Sequence, residues 1–238
     1  MGSIEVNGIE FGHNPLNLAQ MMRPTRHECM TYTEDGISST DGGGGLNSTS
    51  STGRGGTDMV NHPGIISTSV TTLTTDYAIL GSSSGAVLFG GAVWKAEALI
   101  AINTLSDGTY TYTYRFGFLD STTAADAVDG VYIEYNSASS ANWIMGTSSN
   151  STRTKTASST AVVAGVWTRL GVIVNATGTS VEYFVNGVSI GTVTTNIPTG
   201  TGRQTGTKLQ LVKVAGVTLR AVFHDFMEWN AIFTTARY

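Results

Sequence analysis

Residues 110–118 read Tyr110-Thr111-Tyr112-Thr113-Tyr114-Arg115-Phe116-Gly117-Phe118. An aromatic ring at every second position is the pattern of a strand with one buried face, because successive side chains of a strand point to opposite sides. Working outward, Asp107-Gly108 supplies a turn, and Val93 to Asn103 places Trp94, Ala96, Ala98, Ile100 and Ile102 on one side and Lys95 and Glu97 on the other. Beyond the aromatic row, Val131 to Tyr135 and Trp143 to Met145 read as strands, and Val166 to Val174 alternates Trp167, Arg169 and Ile173 with Thr168, Leu170, Val172 and Val174. Asn186-Gly187, between Val181 to Val185 and Val188 to Val193, accepts positive φ at both positions of a two-residue hairpin. Leu209 to Val214 and Leu219 to Trp229 supply closing strands, and no segment of ten or more residues carries a helical period. From about Ile65 onward the chain is therefore expected to be all-β, an antiparallel two-sheet jelly roll of roughly a dozen strands.

Composition agrees with that class. Of 238 residues, 36 are Thr, 23 Ser and 29 Gly, while only 13% are charged, so polarity comes from hydroxyls and backbone rather than ions. A helical bundle would draw on Glu, Lys, Ala and Leu instead. The net charge of -4 and the absence of any Lys or Arg run exclude a phosphate-tracking nucleic-acid binder. A single Cys29 excludes an intramolecular disulfide, no apolar stretch approaches the length of a membrane span, and the first residues lack the pattern of a secretory signal. Synthesis in a bacterial cytoplasm is the expectation.

The first 69 residues carry 3 Lys+Arg against 7 Asp+Glu, so the whole net charge falls there. The same part holds Gly42 to Gly45, Gly53, Gly55 and Gly56 among Ser and Thr, a composition that cannot offset its own ordering entropy by apolar burial. Residues 1–60 are accordingly expected to be an irregular arm for anchoring or oligomerisation, with a jelly-roll domain over 61–238.

Several words along the chain resemble a known family. They are Asn61-His62-Pro63-Gly64-Ile65, Tyr112 to Gly117 (YTYRFG), Asp129 to Tyr135 (DGVYIEY), Gly165 to Val174 (GVWTRLGVIV), Val181 to Gly187 (VEYFVNG) and Val222 to Phe226 (VFHDF). In this order they resemble a concanavalin A-like (laminin G-like) lectin/glucanase jelly roll in the form found in bacteriophage virion proteins. The resemblance implies a fold that in enzymes hydrolyses glucans, in lectins holds sugars and in virions often forms a surface.

Chemistry is sparse at the level of motifs. A retaining glucanase needs two carboxylates about 5 Å apart. In the families resembled these sit on one strand of the concave sheet as E-x-D-x-x-E or a close variant, and here that strand offers Glu134 alone. Glu97, Glu134 and Glu182 are each expected to be outward-facing solubilising carboxylates. Asp120, Asp126 and Asp129 form a polar loop that hard oxygen chemistry would allow to hold calcium, but the D-x-D-x-D-G cadence is missing and a turn is the simpler reading. His13, His27 and Cys29 fall short of the four ligands of a structural zinc site. His224 and Asp225, adjacent in a strand, point to opposite faces and are no acid–base pair.

The aromatic row is read as core, with a competing reading as a platform for sugar rings that would use Tyr110, Tyr112, Trp143 and Trp167. The expectation is thus a non-enzymatic structural protein displayed on a phage particle, as capsid decoration, head fibre or tail-fibre module. It would have neither cofactor nor metal, its partners would be other capsid or tail proteins, and it would form a homo-oligomer, a trimer being one form. The alternative is a lectin-like adhesin for host polysaccharide.

Overall fold

The computed structural model describes residues 65–235 continuously, together with His62 and the backbone of five short strands before it. Two antiparallel sheets pack face to face. The first has seven strands in the order β12 (Thr152–Ala161), β11 (Asn142–Ser149), β10 (Gly130–Asn136), β9 (Thr111–Leu119), β16 (Gly206–Ala215), β7 (Asp76–Gly81) and β4 (Asn47–Thr49). The second runs β15 (Val188–Val193), β14 (Val181–Val185), β13 (Trp167–Val174), β8 (Ala92–Ile102), β17 (Arg220–Phe233), β6 (Ile66–Val70) and β5 (Thr52–Arg54), with β3 (Cys29–Glu34) also paired to β17. A separate pair, β1 (Ile4–Val6) and β2 (Ile9–Phe11), completes the list. Among the described residues there is no helix, hence none long and apolar enough to cross a membrane.

The core lies between the sheets and is built by the alternation seen in the sequence. Tyr112, Tyr114, Phe116 and Phe118 of β9 point inward with Val131, Ile133 and Tyr135 of β10, and meet Trp94, Ile100, Leu170 and Val172 from the other sheet. Their rings contact edge to face, as in Phe89 against Phe118 at 5.4 Å and 83°. Burying each such side chain contributes about 1.5–3 kcal/mol, so the aromatic strand is a principal source of stability. Asn186 and Gly187 take φ of 52° and 77°, the left-handed geometry of the expected hairpin.

Four strand assignments come from tertiary context alone. β12, Thr-Arg-Thr-Lys-Thr-Ala-Ser-Ser-Thr-Ala, is mostly exposed and has no apolar period, yet it pairs with β11 as the sheet's edge. Charged and hydroxylic residues suit an edge, because they oppose pairing with a second molecule. Within the first sixty residues, β3 pairs with Met227 to Ile232, β4 with Ile79 to Gly81 and β5 with Ile66 to Thr68. A segment without its own core still carries backbone donors and acceptors, and sheet edges can take them up. Gly42 to Gly45 lie outside the described residues.

Candidate functional site

The outward face of the seven-stranded sheet carries two rows of side chains that the register places side by side. One row, crossing β7, β16, β9, β10, β11 and β12, is Gly81, Lys208, Gly117, Tyr132, Gly146 and Lys155. Glycines alternate with long side chains, so each long side chain has a bare backbone to lie over. A Cβ at Gly146 would overlap the Tyr132 ring. The guanidinium of Arg115 and the ammonium of Lys155 sit 5.8 and 5.9 Å from that ring's centroid, within range of its electron-rich face.

The adjacent row is Ile79, Gln210, Arg115, Glu134 and Ile144. Arg115 is its hub: Nε donates to Glu134 Oε2 at 2.6 Å, Nη1 to Gln210 Oε1 at 2.8 Å, and Nη2 to Asp126. Lys155 Nζ reaches both oxygens of Glu134 at 3.0 and 2.9 Å, and lies 3.6 Å from Asp126 Oδ2. Arg153 closes on Asp126 at 3.7 Å.

Of these outward groups Arg115, Glu134, Gln210 and Lys208 are nevertheless buried, because the loop 120–129 between β9 and β10 folds across them. Lys208 donates to the carbonyl of Ser121 at 2.7 Å, the Gln210 amide to those of Thr123 and Ala125 at 2.7 and 3.1 Å, and Arg153 to that of Ala127 at 2.9 Å. Burial would push the Asp126 carboxyl up, but Arg115, Lys155 and Arg153 outweigh it and hold the group below the usual carboxylate range. Arg115 behaves in the complementary way, with burial opposing its charge and Glu134 and Asp126 more than restoring it. Burial lowers the Lys208 ammonium, which Asp120 only partly offsets.

Several expectations need correction here. Glu134 is not a solvated surface carboxylate but 0% exposed, and Glu97 is largely covered by Lys95 at 2.9 Å and Arg169 at 2.6 Å; Glu182 is exposed as expected. Lys95 lies on Glu97's own strand, but Arg169 for Glu97 and Arg115 and Lys155 for Glu134 come from other strands, which no single stretch of sequence displays. The aromatic residues offered for sugar stacking are not brought together. Tyr112 and Trp143 lie in the core at 2% and 1% exposure, since strand alternation turns them inward with the rest of the row, and no sugar can reach them there. Tyr110 precedes β9 and is covered by Arg220 at 5.2 Å. Trp167 is on the outward face of the other sheet, stacked on His62 at 4.3 Å.

The three loop aspartates turn to separate partners. Asp126 faces Arg115 and Lys155, Asp129 pairs with Arg203 at 3.3 Å, and Asp120 accepts from the Val128 amide at 3.0 Å. His224 and Asp225 do diverge across a register shift. The imidazole enters the core beside Tyr114, and the carboxylate accepts from His62 at 2.9 Å. The His27 and His13 side chains and that of Cys29 lie outside the described residues. Arg115, Tyr132, Arg153, Lys155, Lys208 and Gln210 are the members of the site that sequence reasoning missed. The only local signal was an arginine on the polar side of an otherwise uncharged aromatic strand.

Two sheets in this order, with a polar outward face on the seven-stranded one, define a concanavalin A-like jelly roll of the lectin/glucanase class. Residues 61–225 match the family described as SO2946-like, C-terminal domain, and the chain belongs to that family. The structure of SO2946, a protein of unknown function from Shewanella oneidensis MR-1, superposes with a TM-score of 0.69 at 12% identity, over 95% of this chain and 97% of that one. Peanut lectin superposes at 0.60 and 10% identity, over 88% and 100% of the two chains. The β-glucanase of Bacillus licheniformis does so at 0.53 and 13% identity, over 84% and 97%. At such identities the likeness is one of fold. No curated protein matches the chain by sequence.

The glucanase neighbour overturns the reading of the chain as a non-enzyme, because the fold's family contains enzymes. An E-x-D-x-x-E gathers both carboxylates on one strand, and its absence leaves open their assembly from different elements. Here Asp126 from a loop and Glu134 from a strand meet at the same ammonium.

Proposed function

We propose that this domain recognises carbohydrate on the outward face of its seven-stranded sheet and is displayed on a bacteriophage particle. The observation that carries the first half is the band formed by Gln210, Arg115, Glu134 and Lys155, which the loop 120–129 covers rather than the core and which stays open at its Lys155 end. It holds a planar amide, a guanidinium and a carboxylate in one hydrogen-bonded row, beside a tyrosine ring laid over a glycine. Sugar hydroxyls donate and accept at once, and sites for them combine such oriented polar groups with an aromatic surface. The edge of the band is open, with the side chains of Asp126, Arg153 and Lys155 40%, 30% and 28% exposed. A lectin among the structural neighbours supports the same reading.

The particle setting rests on the ordered words by which the chain resembles phage virion jelly rolls. In that setting residues 1–60 attach the domain to capsid or tail proteins or to further copies of itself, and the chain is made in the host's cytoplasm. The test has two parts. A glycan array should retain the purified protein on bacterial surface polysaccharides, with the signal lowered by Arg153→Gln. Antibody against the chain should label intact particles. An array with no signal for any glycan would overturn the carbohydrate reading, and particles purified without the chain would overturn the setting.

A further inference from the structure

We infer that the loop 120–129 is a lid whose Asp126 carboxylate stands in for an acidic group of the ligand, so that the glycan taken up is one bearing carboxylates. This deepens the reading above and rests on it.

Charge supports it first. With the lid in place Asp126 answers Arg115, Lys155 and Arg153. Lifting the loop leaves those three cations and Lys208 on the sheet, with Glu134 as the one carboxylate of the two rows. With four cations against Glu134, a neutral sugar would leave a net charge of about +3, part of it on the buried Arg115 and Lys208, which is costly. A carboxylate on the ligand restores the balance that Asp126 supplies now, through the same charge-assisted bonds.

The way the loop is held supports it as well. At its far end the loop is tied by Asp129, which accepts from the Asn150 amide and pairs with Arg203, and by Ser148, which donates to the carbonyls of Ala127 and Val128. Over 121–125 the sheet grips it through backbone carbonyls: Lys208 holds that of Ser121, and the Gln210 amide those of Thr123 and Ala125. These three carbonyl oxygens are acceptors, and ring and hydroxyl oxygens of an oligosaccharide can take their place. The lid brings little apolar anchorage against this exchange. Of its side chains only Ala127 is buried in an apolar cluster, a small one with Leu119 and Tyr132 that is separate from the main core, while Thr122 to Ala125 are exposed. Opening therefore does not breach the sandwich.

A third support is the Tyr132 hydroxyl, which is buried and has no hydrogen-bond partner among the described residues. A buried hydroxyl left unpaired is destabilising, and a ligand oxygen arriving as the lid lifts gives it a partner while the ring offers a stacking face.

Titration calorimetry with a galacturonic acid hexamer, a galactose hexamer and inorganic polyphosphate tests this. The acidic hexamer should bind at least about tenfold more tightly than the neutral one. Asp126→Asn, which frees the lid, should tighten the acidic hexamer further and speed amide exchange over residues 121–128. Arg153→Gln, at an exposed position that leaves folding intact, should weaken it about tenfold. Equal binding of both hexamers, or no effect of either variant, overturns the inference while the carbohydrate reading stands. Polyphosphate binding as tight as the acidic hexamer's overturns it in favour of a plain anion site. No binding of any sugar, even to Asp126→Asn, overturns both.

Discussion

Arg115 and Glu134 are register partners on β9 and β10 that point away from the core and are still buried, at 3% and 0% exposure, joined Nε to Oε2 at 2.6 Å. A buried pair of this kind is weak evidence for net stability, since desolvation offsets much of the attraction, but leaving one partner without the other is costly. Arg115→Met strands Glu134 with Lys155 alone and removes one partner each from Gln210 and Asp126. A loss of about 3–5 kcal/mol is expected in urea titration. Adding Glu134→Leu to it should restore at least half of that loss, and a double variant no more stable than the single would mean that the pair is not the source.

Gly146 has an ordinary strand conformation, so its role is steric: Tyr132 occupies the space of the missing Cβ. Gly146→Ala forces the ring off the sheet and should cost about 1–3 kcal/mol, as overpacking does. Because the clash is with one ring, Tyr132→Ala in the same chain should abolish the added cost. Additive losses in thermal melts would place the strain elsewhere.

The hairpin at Asn186 and Gly187 depends on left-handed backbone at both residues and on the Asn186 side chain, whose Oδ1 accepts from the Arg169 amide at 2.9 Å. Combining Asn186→Ala with Gly187→Val should lower stability by about 1–3 kcal/mol, because a β-branched residue is strained at positive φ. Equal melting temperatures would show that the strands tolerate another turn.

His224 lies in the core against Tyr114, with both ring nitrogens unpaired among the described residues, and burial lowers its pKa from 6.5 to about 3. Between those values the unfolded chain holds a proton that the folded one does not. Stability is therefore complete above the unfolded pKa and falls as pH drops toward the folded one, by at most about 1.4 kcal/mol per pH unit. His224→Phe should flatten that slope between pH 6.5 and 4.5, above the range where most carboxylates titrate. Glu228, whose carboxyl burial and Glu97 push up, is present in both proteins and cancels in the difference. Parallel pH profiles for the two chains would show that the imidazole is hydrated or paired.

What was legible in the sequence is local. Alternation at Tyr112 to Phe118 and at Trp94 to Ile102 specified which side of each strand is buried, because side-chain direction in a strand repeats every two residues whatever lies opposite. Asn186-Gly187 announced its hairpin because few residue pairs accept that backbone. The edge strand β12 was not legible, since nothing in a polar, exposed strand demands burial.

The assembly of the site belonged to tertiary structure. Arg115 and Gln210 are 95 residues apart, and Arg115 and Glu134 are 19, so their meeting depends on strand order and register rather than on neighbours in sequence. Seen alone, each is a polar residue on the outer side of a strand, for which solvent is the default surrounding. A ten-residue loop of small and acidic residues laid across that side replaces the solvent. By itself the sequence determined which face of each strand is apolar, because that is a property of single residues in alternation. Only the folded chain decided that the polar face would be a dry, charged and covered one, because desolvation and ion pairing are properties of groups brought together from distant positions.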